Sequence, residues 1–199
     1  MRPFPLLLLA ALLGTGCLAD RVVTLHPATP PMIPVTGTPR PLVVLPFADR
    51  RGAIAEAPGI NAVGGLYGLG GAPAAMLVSE PYPVTLQKLL ISTLNARGIA
   101  AGAGPTPGAN VLSGTVVDFY GYLNWGAGAT LRAYVRITGP DGTYLADKTV
   151  SIDTTRWGID TCVPKLEVVL GKVMTSWVEA VAFDADLTQA MLVEAPTTK

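Results

Sequence analysis

The side chains able to do covalent or metal chemistry are few. The chain has one histidine, His26, and two cysteines, Cys17 and Cys162. A catalytic thiol or serine wants an imidazole beside it, and His26 sits in a proline-rich stretch outside any predicted element. Cys162 reads as a small buried apolar residue near a helix start. The glycines between Gly64 and Gly71 lack the Lys-Ser/Thr ending of a phosphate-cradling loop. Asp118, Asp141, Asp147 and Asp153 are scattered through predicted strands and turns, where solvated surface is the default. No catalytic residue and no metal ligand set is expected, and no cofactor.

One group of polar and aromatic residues does share a predicted face. Thr130 to Thr138 alternates, with Leu131, Ala133, Val135 and Ile137 inward and Arg132, Tyr134 and Arg136 outward. Tyr120 and Tyr122 can lie on the same side of the preceding strand, with Trp125 near its end. Tyr, Trp and Arg are the side chains that dominate binding hot spots, and flat rings also stack on sugars. This face is the candidate for a glycan- or lipid-binding module. A solvated sheet face, or one covered by the Gly/Ala-rich segment, is the reading favoured over it, because one side of an antiparallel sheet is normally polar.

The first seventeen residues bear on location. Arg2 precedes an apolar run, Leu6 to Leu13, and Gly14-Thr15-Gly16 leads into Cys17. The run is too short for a permanent membrane span and has the proportions of a secretory signal. Small residues directly before a Cys resemble the lipobox of bacterial lipoproteins, although Gly14 stands where that pattern usually has Leu. The resemblance implies a diacylglycerol on the Cys17 thiol, cleavage after residue 16 and a membrane anchor. With Leu18 next, and not Asp, it implies the periplasmic face of the outer membrane. An ordinary signal peptide cleaved near Gly16 or Ala19 is the alternative.

Composition excludes other classes. The 14 basic and 14 acidic side chains balance, and removal of Arg2 with a leader would leave one net negative charge. Nothing resembles the clustered positive charge that nucleic acid requires. Half of the residues are apolar, enough for one buried core in a chain of ordinary single-domain length.

The elements that would position these residues follow from periodicity. Residues 17–41 carry Pro27, Pro30, Pro31, Pro34, Pro39 and Pro41 and read as a semi-extended tether. A single domain spans 42–195. It opens with the apolar strand Leu42 to Phe47, broken at Pro46, and a charged turn. Residues 52–82 form a long Gly/Ala-rich connection. Its apolar side chains, among them Leu66, Tyr67, Leu69, Met76 and Leu77, are too many for a solvated loop and imply packing, either as docking or self-association or, nearly as readily in a small domain, over the chain's own sheet. Pro83 to Arg97 predicts a helix with Leu86, Leu89, Leu90 and Leu94 inward and Gly98 as its stop. Ile99 to Ala101 predicts a short strand. Val111 to Leu123, Thr130 to Thr138 and Thr143 to Asp153 predict three more, the last two joined by a Gly139-Pro140-Asp141-Gly142 turn. Pro164 to Ala182 predicts an amphipathic helix, and Asp184 or Asp186 caps a shorter one near Leu187 to Leu192. The fold class is α/β (α+β): a two-layer sandwich of about four to five mainly antiparallel strands with two helices on one face.

With that order go the strings L-V-V-L-P-F-A-D-R-R, T-L-Q-K-L-L-I-S-T-L-N-A-R-G-I, N-V-L-S-G-T-V-V-D-F and A-Y-V-R-I-T-G-P-D-G. Together they resemble the YajG-type family of bacterial outer-membrane lipoproteins. They are more distantly similar to auxiliary lipoproteins of envelope transport and secretion systems. The resemblance implies a tethered, non-enzymatic accessory or scaffold protein whose partners are envelope proteins or further copies of itself. It carries no catalytic residue over to this chain.

Overall fold

The structure is a computed structural model, and it describes residues 21–25, 27–28, 31, 33–51, 62–66, 74–123, 126–157 and 163–192. Among these, nine strands form one mixed sheet, with helices against one side. The α+β sandwich of the sequence reading is present. The sheet is wider than four or five strands because short segments outside the predicted ones join it.

Its spine is a meander of β7 (Asn110–Leu123), β8 (Gly126–Thr138) and β9 (Tyr144–Trp157), antiparallel throughout. The opening strand β2 (Leu42–Val44) runs parallel to β7 and, on its other side, to β6 (Ala101–Gly102). Pro46 interrupts the ladder. The charged turn expected after it contains a two-residue strand, β3 (Ala48–Asp49), that rejoins β7.

The Gly/Ala-rich connection also departs from a loop. Its backbone supplies β4 (Ala62–Leu66) and β5 (Ala74–Val78), an antiparallel pair whose outer members join β7 and β1 (Arg21–Val23) in parallel. The segment is therefore built into the chain's own sheet at both strands. Val78, the one side chain described in β5, lies in the core.

Helix α1 (Tyr82–Ala96) starts with Pro83 in its first turn, where a missing N–H costs no hydrogen bond. Leu86, Leu90 and Leu94 are fully buried, and Leu89 packs at the edge of the core. Arg97 caps it, and Gly98 follows at φ +84°, a left-handed conformation that suits glycine. In α2 (Val163–Ala182), Leu166, Val169, Leu170, Val173, Trp177 and Val181 are all buried. Of the two candidate caps, Asp184 is the one used. Its carboxylate accepts from the backbone N–H of Asp186 and Leu187 at the start of α3 (Ala185–Met191).

The core lies between the sheet and these helices. Phe47 meets Trp177 edge-on at 5.6 Å, and Trp177 Nε1 donates to the Val150 carbonyl at 3.1 Å. The segment read as a tether, 17–41, supplies β1 near its start and, among its other described residues, only an isolated bridge, Pro39 to Leu192. It nevertheless touches the domain repeatedly. Thr175 Oγ1 donates to the Ala28 carbonyl, Arg97 Nε to Ile33, and Val35 N–H to Arg97. A segment read as a free spacer is thus docked at these points.

Candidate functional site

The inner positions of the meander are apolar, and the polar residues alternate with them toward the other face, away from the helices. Tyr120, Tyr122, Arg132, Tyr134 and Arg136 all stand there. Two irregularities set that placement. The β7–β8 register shifts between Val116 and Asp118, leaving Val117 as the extra residue. Strict alternation from Thr115 would have sent Tyr120 and Tyr122 into the core and Phe119 out of it. With the bulge, Phe119 is buried and the tyrosines face outward. A second shift, between Ile137 and Thr138, leaves Leu145 unpaired. It brings Tyr144 and Asp147 onto one face, with Asp147 opposite Arg136.

The result at one end is a four-residue network. The Asp147 carboxylate accepts from the hydroxyls of Tyr134 and Tyr144, the latter at 3.0 Å. Arg136 lies 3.5 Å from the same carboxylate and donates to the Tyr134 oxygen through Nε and Nη2, at 3.1 and 2.6 Å. Its guanidinium is 5.4 and 6.0 Å from the ring centroids of Tyr134 and Tyr144. The Tyr134 hydroxyl, ahead of Tyr144 and Arg136, holds the Asp147 carboxyl below its ordinary range. Asp147 in turn raises the Tyr144 phenol. At neutral pH the Asp147 carboxylate is charged and the Tyr144 phenol keeps its proton.

At the other end, Tyr120 and Tyr122 lie 6.3 Å apart, centroid to centroid. Tyr122 lies across Gly128, where a Cβ would meet its ring at 2.2 Å, and its hydroxyl is 3.3 Å from Thr155 Oγ1. Arg132, exposed and paired opposite Asp118, separates the two tyrosine groups. Sequence reasoning missed Tyr144, Asp147 and Thr155 as members of this face. The hairpin turn pointed to β9, but only the bulge at Leu145 sets which of its residues face outward.

Asp49 and Arg51, in and just after β3, form a second, inner cluster. Arg51 grips both Asp49 oxygens through Nε and Nη2, at 2.9 and 2.8 Å, and donates to the Phe119 carbonyl at 3.1 Å. Its guanidinium stands 4.4 Å from the ring centroid of the buried Tyr82. Burial works to raise the Asp49 carboxyl, but the bonds from Arg51 outweigh it and the net shift is downward. This cluster ties β3, β7 and the start of α1 together.

Cys17, Cys162, His26, Trp125, Tyr67 and Leu69 lie outside the described residues, as do the side chains of Leu66, Met76 and Leu77. Among the described residues no three His, Cys, Asp or Glu side chains converge as metal ligands, and no helix is long and apolar enough to cross a membrane.

No family model matches the sequence, and no curated protein matches it significantly. Solved structures do match. A crystal structure of a Xanthomonas campestris protein described under the family model DUF330 superposes with a TM-score of 0.58 at 13% identity. It covers 86% of this chain and 96% of its own. An uncharacterised protein gives 0.54 at 14% identity, covering 81% and 97%. A PelC dodecamer from Paraburkholderia phytofirmans gives 0.45 at 12% identity, covering 80% and 94%, a score too low to build on. At these identities the likeness shows one thing: this chain shares the fold of the first two.

Proposed function

We propose that this chain is a non-enzymatic accessory lipoprotein of the bacterial envelope, anchored by lipid on Cys17 at the periplasmic face of the outer membrane. It acts as a scaffold through contacts with envelope proteins or with further copies of itself. The observation that carries the reading is the leader: Arg2, the apolar run to Leu13 and the small residues before Cys17. YajG-type kinship rests on the four strings quoted above, and a fold shared with a DUF330 protein is compatible with it.

The experiment is metabolic labelling with a fatty acid, comparing wild type with Cys17→Ser. The wild type incorporates label and sediments with outer membrane. The variant loses the label and either stays unprocessed or leaves the membrane fraction. Normal processing and unchanged membrane retention in Cys17→Ser would refute the anchor.

A further inference from the structure

We propose that the outward face of β7, β8 and β9 is a binding surface for an uncharged oligosaccharide, seated on the Tyr134–Asp147–Tyr144–Arg136 network and extending toward Tyr120 and Tyr122. The inference goes beyond the accessory role and does not depend on Cys17.

The network has the two things a sugar needs. The Tyr134 and Tyr144 rings offer apolar faces to ring C–H groups. Beside them, Asp147 accepts and Arg136 donates at the level where hydroxyls project. The groups are also already fixed. Each tyrosine hydroxyl is held by Asp147, and Arg136 is held by Tyr134, so little side-chain freedom is lost on binding. They remain accessible, with Tyr144 57% exposed and the Arg136 side chain 49%.

Charge and composition select the occupant. Opposite two guanidiniums, Arg132 and Arg136, the face carries three carboxylates, Asp118, Asp147 and Asp153. A polyanion, whether nucleic acid, uronic-acid polymer or phospholipid headgroup array, would meet no net attraction. A protein partner would want a desolvated apolar centre. Between the two tyrosine groups the register instead places Val117, Asp118, Arg132 and Ser151, flanked by Thr115, Thr130 and Thr149, one apolar residue among six polar ones. Tyr134 and Thr130, the latter paired with Tyr120, are four residues apart on β8, which places the two tyrosine groups roughly 13 Å apart at strand rise. That span suits a short oligosaccharide laid along the strands and exceeds a single sugar ring.

The test uses full-length protein in detergent, titrated calorimetrically with the N-acetylglucosamine tetramer, cellotetraose, maltotetraose and, as the charged comparison, a tetragalacturonate. The expected result is saturable binding of at least one neutral tetramer. It should weaken at least tenfold in Tyr134→Ala and in Asp147→Ala, and less in Tyr120→Ala, each titrated well below its own melting temperature. Tyr134→Phe keeps the ring and loses the hydroxyl, and should fall between wild type and Tyr134→Ala; it also serves if an alanine variant fails to fold. No binding of any neutral tetramer at millimolar concentration would overturn the proposal. So would binding of the tetragalacturonate alone, or neutral binding that these substitutions leave unchanged.

Discussion

Asp49, Asp147 and Asp184 each sit below the ordinary carboxylate range in the folded chain. A group whose folded pKa is depressed binds fewer protons folded than unfolded. It therefore contributes stability above its unfolded pKa, near 4, and that contribution is lost as pH falls through the folded value. Melting temperature should accordingly decline as pH falls below the unfolded carboxylate value of about 4. Asp49 and Asp184 are the better shielded of the three, so Asp49→Asn should flatten the profile while lowering stability at neutral pH by about 2 kcal/mol. A profile unchanged by Asp49→Asn would show the Asp49–Arg51 bonds to be energetically idle. Gly114 offers a sharper steric case. A Cβ there would come within 2.1 Å of the Phe47 ring, itself wedged against Trp177 in the core. Gly114→Ala should cost about 1–3 kcal/mol, read by urea denaturation. Wild-type stability in that variant would mean that Phe47 has room to turn.

At the scale of elements, the helices were the most legible parts of the sequence. Their stripes recur at helical spacing, and their ends carry Pro83, Gly98 and Asp184, each with a local mechanism that needs no tertiary information. The long strands were legible for the same reason, as was the inward and outward sorting of β8. What stayed hidden depends on partners distant in sequence. β3 is two residues long and exists only because β7 offers an edge. β4 and β5 lie in a Gly/Ala-rich segment whose strand propensity is poor, and pairing with β7 and β1 overrides it. The bulges at Val117 and Leu145 leave no mark that alternation alone can read, yet they decide which residues form the outward face. Arg132, Tyr134 and Arg136 on β8 were thus found by pattern, while the placement of Tyr120, Tyr122, Tyr144 and Asp147 required the register. Because β4 and β5 are integral to the sheet, replacing Ala55 to Leu77 by a short Gly/Ser linker should lower the melting temperature substantially or aggregate the chain. An unchanged melting temperature with a smaller oligomer would instead assign the segment to assembly, the role its apolar side chains suggested.

At the scale of the whole molecule, one sheet covered by helices on a single side leaves the opposite face, among the described residues, to solvent or to ligand. The proline-rich segment follows the domain through Ala28, Ile33, Val35 and Pro39. An anchor at Cys17 would therefore hold the domain near the lipid surface, closer than a fully extended segment of that length would allow. The account's central claim is that anchor, and the most direct measurement is the intact mass of the mature protein purified from its membrane fraction. The account predicts a chain that begins at Cys17 and carries a diacylglycerol with a further acyl group on its amine. A chain in the soluble fraction that begins at Leu18 or beyond, with no added lipid mass, would contradict it.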